Sequence, residues 1–308
     1  MSMSYRSPVT TALYKILIWP AEACLLFALL GILTILPVTI AAPAMSALFR
    51  LLGPVTGWHK RSYRQLSFAM PDLSEAEKSR ILHGMWDNLG RTVGEYMHIR
   101  RMLKTGKIQF RGTEHLSHHD GGLIISAHLA NWEALSLIGL HLNIPMGLIY
   151  RPLNNPLANR ALKRRAQITG ADIYEKGREA SFGMLRTLRK GGFMLMLADQ
   201  QLREGISVPF FGHPAQTAIS HIKLAMKQNK PIFLTHVERV DSQMIIVTIQ
   251  PALTLPDTGD DDAAVADIAA QINMEIEGWI RNRPDQWLWP HRRWGKILPP
   301  QSDQTPIS

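Results

Sequence analysis

Residues 23–49 carry no charged side chain, and the centre of that run, 25–36, is dominated by Leu, Ile, Ala and Phe. A stretch of that composition is long enough for a helix that crosses a membrane, which needs ~20 apolar residues. Glu22 stands just before it, and Pro37 and Pro43 are placed to bend or end the helix, so a half-inserted segment satisfies the same pattern. The rival reading is a secretory signal peptide, because Arg6 and Lys15 precede the run and Ala42-Pro43-Ala44 loosely resembles a cleavage site. The run is longer than the apolar core of a usual signal peptide, which favours an uncleaved anchor. Arg50, Lys60, Arg61 and Arg64 follow it, against Arg6 and Lys15 before it, and this bias favours a cytoplasmic body.

The rest of the chain changes character at Gly106. Before it, residues 50–105 read as helical. Ser74 and Glu77 form a capping box, and Ile81, Leu82, Met85, Trp86, Leu89, Val93 and Tyr96 repeat as the apolar stripe of one packing helix. After it, short apolar runs alternate with helical periods. Strands are expected at 122–126, 146–150, 172–174, 193–198, 231–237 and 244–249, and helices at 132–142, 156–168, 179–190, 216–228 and 263–282. The order argues an α/β fold with an open, mostly parallel sheet and helices on both faces, preceded by the N-terminal membrane helix and the helical segment. The last two strands read as a hairpin and hence an antiparallel edge. The expected organisation is an anchor and flank over 1–49, one domain over 50–298 (helical to 105, α/β core 106–298), and a polar, disordered tail over 299–308.

Lys and Arg outnumber Asp and Glu by 34 to 25, a net charge of +9, which calls for an anionic partner. The anchor and the lack of any recognition motif turn that charge away from nucleic acid and toward lipid phosphate or an acidic protein. With Cys24 as the only cysteine, no intramolecular disulfide and no cysteine-rich zinc site can form. No Gly-x-Ser-x-Gly, Walker A, Gly-x-Gly-x-x-Gly or His-Glu-x-x-His motif occurs, and His115, His118, His119 and His128 lack a zinc spacing. No metal and no cofactor is therefore expected.

The chemistry is carried by Ser126-Ala127-His128-Leu129-Ala130-Asn131-Trp132-Glu133, where a buried strand gives way to a helix. Residues five apart on one helix point about 140° from each other, so His128 is expected in the turn, with Asn131 as N-cap and Glu133 in the first helical turn, able to reach back to the imidazole. In an open α/β sheet, ligands bind beyond the carboxyl ends of the strands. The residues at those ends are His128, Arg151, Asp199-Gln200 and Glu238-Arg239, although strand ends are polar wherever they meet solvent. Lys163, Arg164 and Arg165 add cations on the helix after Arg151, at least one of them on a solvated face. The segment Val208-Pro209-Phe210-Phe211-Gly212 reads as an exposed aromatic loop that walls a pocket or caps the core. What survives the excluded motifs is base catalysis by His128 without a protein nucleophile: an acceptor hydroxyl gives its proton to the imidazole and attacks a thioester, with arginines stabilising the oxyanion.

These blocks, together with Tyr150-Arg151-Pro152, Asn155-Pro156, Ala198-Asp199-Gln200, Pro214-Ala215 with Thr217, and Pro284-Asp285-Gln286-Trp287-Leu288-Trp289-Pro290-His291-Arg292-Arg293-Trp294, resemble the bacterial lipid A biosynthesis late acyltransferases, the lauroyl/myristoyl family. The likeness runs from the anchor to about Trp294. It implies an inner-membrane enzyme that moves a fatty acyl chain from acyl carrier protein, with coenzyme A as the alternative donor, to a hydroxyl of an acylated lipid A precursor. It further implies His128 as base with Glu133 as its partner, and a need for Asp199 and for a downstream arginine, Arg164 or Arg165; with Arg151 and Gln200, placed at strand ends, these are the expected substrate-binding residues. Leu129-Ala130 stands where Phe-Gly is most frequent in the family. Related enzymes acylate other glycolipids or phospholipids, so the acceptor is less constrained than the reaction. A hydrolase in which the base activates water and a membrane-tethered lipid-binding protein without catalysis are the competing classes.

Overall fold

The computed structural model describes residues 14–160, 169–202, 204–254 and 261–295. The charge-free run divides at Leu36–Pro37 into two helices, α1 (Trp19–Ile35) and α2 (Val38–Leu52). Pro37 ends the first because its ring cannot continue a helix, whereas Pro43 sits inside the second without breaking it. With the helical turns that flank them, giving Lys15–Ile35 and Val38–Val55, both are long and apolar enough to cross a membrane. Thirteen of the eighteen large apolar side chains exposed among the described residues fall between Ile16 and Trp58. One face of α2 is nevertheless occupied. Ala41, Ala42, Met45 and Ser46 are buried against α4 (Glu75–Glu95), and the notch that receives them is made by Gly90 and Gly94. A Cβ at Gly90 would stand 2.5 Å from the Met45 carbonyl oxygen, and one at Gly94 2.5 Å from that of Ala41. The expected boundary at residue 49 thus falls inside a helix that belongs to the packed body.

Helix α3 (Gly57–Ala69) leads into α4, which starts at the expected capping box: Ser74 Oγ accepts from Glu77 N at 3.3 Å and Glu77 Oε2 from Ser74 N at 2.8 Å. The sheet has seven strands in the order β1-β9-β8-β2-β5-β3-β4. They are β1 (Ile108–Arg111), β2 (Gly122–Ser126), β3 (Met146–Tyr150), β4 (Asp172–Glu175), β5 (Phe193–Leu197), β8 (Ile232–Arg239) and β9 (Ile245–Ala252). Every neighbouring pair is parallel except β8 with β9. The expected hairpin is therefore present but is not the edge, because β1 adds outside it. The middle strands bury both faces: Leu123, Ile125, Met194 and Leu234 join one core cluster, and Ile124, Phe193, Leu195 and Phe233 the other.

Three expectations need correction. The aromatic segment is not an exposed loop but a two-stranded ribbon, β6 (Ile206–Phe210) with β7 (His213–Thr217), in which Val208, Phe210, Phe211 and Ala215 are buried. Its two-residue turn, Phe211-Gly212, has φ of +53° and +73°, the twist that suits a tight hairpin. Pro209 lies directly opposite Pro214, so neither missing N–H interrupts a longer sheet. The helix expected from 216 begins at Ser220, because 216 and 217 finish β7. The helix expected over 132–142 is a 3-10 turn (Trp132–Leu137) followed by a short α-helix (Ile138–Leu142). Helices α5 (Arg178–Arg189) and α7 (Asp261–Asn282) match expectation to within two residues, and the late-starting helix is α6 (Ser220–Lys227). Residues 156–160 are helical, while the remainder of that expected helix and the tail lie outside the described residues.

Candidate active site

Strand register builds the centre of the site. β2 and β5 run parallel with Ser126 beside Leu197, and two further residues along both chains bring His128 beside Asp199. The side chains meet as the register requires. The Asp199 carboxylate accepts from His128 Nδ1 at 2.7 Å, from the His128 backbone N–H at 2.9 Å and from Trp287 Nε1 at 2.8 Å. Asp199 is 1 % exposed. Burial pushes its carboxyl up, yet His128, the hydrogen bonds and His291 outweigh that and hold it well below the usual carboxylate range. An ionised carboxylate at Nδ1 fixes the neutral imidazole with its proton on that nitrogen, so the lone pair lies at Nε2.

Nε2 faces a cavity of about 630 Å³. Its walls include Leu148, Ile149, Met184, Met196 and Leu197, and its polar groups include Glu133, Arg151 and Gln200. Gln200 Nε2 stands 3.3 Å from both His128 Nε2 and His291 Nε2, an amide bridging two imidazoles. The His128 ring lies 4.6 Å from that of His291 and edge-on to Trp132 at 5.3 Å. His291 is pushed down to about 4, first by burial and then by the proximity of His128, so it is neutral beside that imidazole. His221, in the wall, is likewise pushed down to about 4 by burial.

The turn behind His128 is as expected in one respect: Asn131 caps the following helical turn, its side-chain oxygen accepting from Glu133 N at 3.2 Å. Nδ1 of the imidazole is bonded to Asp199, while Glu133, the partner expected from sequence, lines the same cavity. Asp199 in turn is sealed behind the imidazole rather than open to a substrate. Arg151 and Gln200 do reach the cavity, whereas Arg164 and Arg165 lie outside the described residues. Glu238-Arg239, the fourth polar strand end, does not join them: Arg239 is buried behind the turn in an ion pair with Glu95.

Sequence reasoning gave no role to Trp287 or His291, although both lie in its tryptophan-rich block. That block is a strap folded along the turn that carries His128. Ala130 N donates to Gln286 O at 3.0 Å and Leu288 N to His128 O at 3.1 Å. Trp287, Trp289, Trp294 and Arg293 are fully buried, and Arg293 is tied to Gln216, Thr217 and Asn273. Three indoles and two guanidiniums in eight residues was the available signal.

Compared with known proteins, residues 12–296 match the family model described as bacterial lipid A biosynthesis acyltransferase. The chain belongs to that family. Among curated relatives it is 27% identical over 195 residues to the lipid A biosynthesis palmitoleoyltransferase of Escherichia coli (strain K12), covering 62% of this chain and 58% of that protein. It is 22% identical over 250 residues to the lipid A biosynthesis lauroyltransferase of the same organism, covering 75% and 77%. The match thus spans little more than half of the palmitoleoyltransferase. Among solved structures, the 1-acyl-sn-glycerophosphate (LPA) acyltransferase PlsC from Thermotoga maritima aligns at a TM-score of 0.37 and 9% identity, over 78% of this chain and 98% of that one.

Proposed function

We propose that the chain is a membrane-anchored O-acyltransferase that moves a fatty acyl group from a thioester, on acyl carrier protein, to a hydroxyl of an acylated lipid A precursor. The observation that carries this reading is His128 held by the buried Asp199 with its Nε2 lone pair facing an apolar-walled cavity that also holds Glu133 and Arg151. In the proposed reaction Nε2 takes the proton of the acceptor hydroxyl, whose oxygen attacks the thioester carbonyl. The carbonyl re-forms as the C–S bond breaks, and the departing thiolate takes the proton back from the imidazolium. A positioned base of this kind contributes about 10²–10⁴-fold. Arg151 supplies positive charge for the oxyanion or for acceptor phosphate, a part that Arg164 and Arg165 would share. Asp199, assigned from sequence to substrate, instead keeps the imidazole in the reactive tautomer. Gln200 holds Nε2 until the acceptor hydroxyl replaces its amide.

The apolar α1 and α2 fit a membrane anchor, and the cations that follow them support an inner-membrane enzyme with its site on the cytoplasmic side. Mass spectrometry of lipid A from cells with and without this chain tests the function. The expected result is a lipid A heavier by one acyl group when the chain is present. Identical lipid A accompanied by an acyl change in another lipid would move the acceptor elsewhere, and no change in any lipid would contradict the reading.

A further inference from the structure

The far side of the catalytic turn carries polar groups that the proton transfer does not use. Glu95, the last residue of α4, is 1 % exposed. It grips Arg239, the last of β8, through Nη1 to Oε1 at 2.6 Å and Nη2 to Oε2 at 2.8 Å. Arg239 Nε donates to Asn88 Oδ1 at 2.9 Å. Asn88 Nδ2 and Thr92 Oγ1 both donate to the Ala130 carbonyl at 3.1 Å, where the backbone has the unusual φ of +49°. Asn131 joins this group to the site: its Nδ2 donates to Glu95 Oε2 at 2.8 Å while its Oδ1 accepts from Glu133 N.

A buried ion pair is a poor way to add stability, since apolar side chains of equal volume often do as well or better. Here the charge has a directional use. A carboxylate offers only acceptors, so Asn131 must turn its NH2 toward Glu95, which leaves its oxygen as the cap for Glu133. Arg239 and Asn88 in turn hold the carboxylate where it can impose that choice.

We propose that Glu95, Arg239 and Asn131 form a positioning relay that sets the backbone of residues 130–133, and through it the placement of His128 and Glu133 in the cavity. The relay rests on the reading of His128 as the base, and none of its members lines the cavity that His128 faces. Asn131→Asp tests it, because it keeps the capping oxygen but sets a second carboxylate against Glu95. Adding Glu95→Gln restores a donor opposite Asp and keeps the net charge of the trio. Wild type and the two variants are compared in transfer from acyl carrier protein to a lipid A precursor, and by NMR of the His128 Nδ1 proton, assigned with His128→Ala. Displacement of a reacting group by about 1 Å costs about 100-fold, so Asn131→Asp is expected to lower kcat by that factor with KM changed less than about threefold, and the double variant to regain about tenfold. The Nδ1 resonance should shift in the single variant and return in the double. Unchanged kcat in Asn131→Asp, a loss taken up in KM, or a double variant no better than the single would overturn the relay. If wild type shows no His128-dependent transfer, the functional reading fails instead, and the resonance judges the relay alone: movement and return support it, an unmoved resonance overturns it.

Discussion

The two sides of the turn from His128 to Glu133 are built from the same residue types and behave differently. On the cavity side, Asp199 gathers three donors, but beyond it His128 Nε2, Gln200 and Arg151 face open volume. On the far side, Glu95, Arg239, Asn88, Thr92 and Gln286 bond to each other and to the turn within the protein interior. Polar groups that face a cavity can change partners when a substrate arrives, whereas those committed to each other can only hold shape. The comparison predicts that cavity-side substitutions reduce activity while sparing stability, and that far-side substitutions reduce both.

Asp199→Asn gives the largest effect on activity. Its carboxamide has a single acceptor atom for three donors, so its NH2 group either opposes an N–H or makes Nδ1 an acceptor, and the imidazole loses its enforced tautomer. The expected fall in kcat is about 10³–10⁴-fold, with a loss of stability held to about 1–3 kcal/mol, that of one disturbed buried hydrogen bond. A variant that unfolds instead would erase the distinction between the two sides. Arg239→Met should lower both activity and stability, leaving Glu95 charged and unpaired in the interior at a cost of about 3–5 kcal/mol in urea unfolding, part of which Glu95→Gln recovers, together with a fall in kcat. The acid dependence of stability follows from His221 and His291. Both are pushed down to about 4 in the folded protein from an ordinary 6.5, so between those pH values the unfolded chain takes up protons that the folded chain refuses. Their contribution is intact above about pH 6.5 and is lost as pH falls toward 4, by roughly 3 kcal/mol for each, and His221→Phe should flatten the curve by its share. At the smallest scale, Ala130→Gly should be neutral or stabilise by up to about 1 kcal/mol in the same unfolding experiment, because φ of +49° is costly for alanine. That conformation also suits the glycine that the resemblance leads one to expect at this position.

What could be read in advance follows the same division. β2, β3 and β5 announce themselves as short continuous apolar runs, and the parallel order they imply brings His128, Arg151 and Gln200 to one cavity. β1 was invisible because four residues, Ile108 to Arg111, alternate too briefly to show a period. β6 and β7 were hidden by Pro209 and Pro214, which argue against a sheet until they are seen to face each other. Asp199 is singled out by the sequence but its partner is not, since only strand register shows that it lies two residues past β5 opposite His128. The Glu95–Arg239 pair joins residues 144 positions apart and leaves no local pattern at all. Gly90 and Gly94 were passed over within α4, because their use is to admit α2, a long-range contact.

The central claim is that His128, made basic at Nε2 by Asp199, moves the acyl group without a covalent enzyme intermediate. The most direct measurement is transfer of a labelled acyl group by the purified full chain in detergent, from acyl carrier protein to a lipid A precursor, comparing wild type with His128→Ala. The account predicts an acylated lipid with wild type, no acyl group retained on the protein, and loss of about 10²–10⁴-fold in rate with the variant. Equal rates for the two proteins, or a labelled acyl-enzyme caught before the acceptor is added, would contradict it.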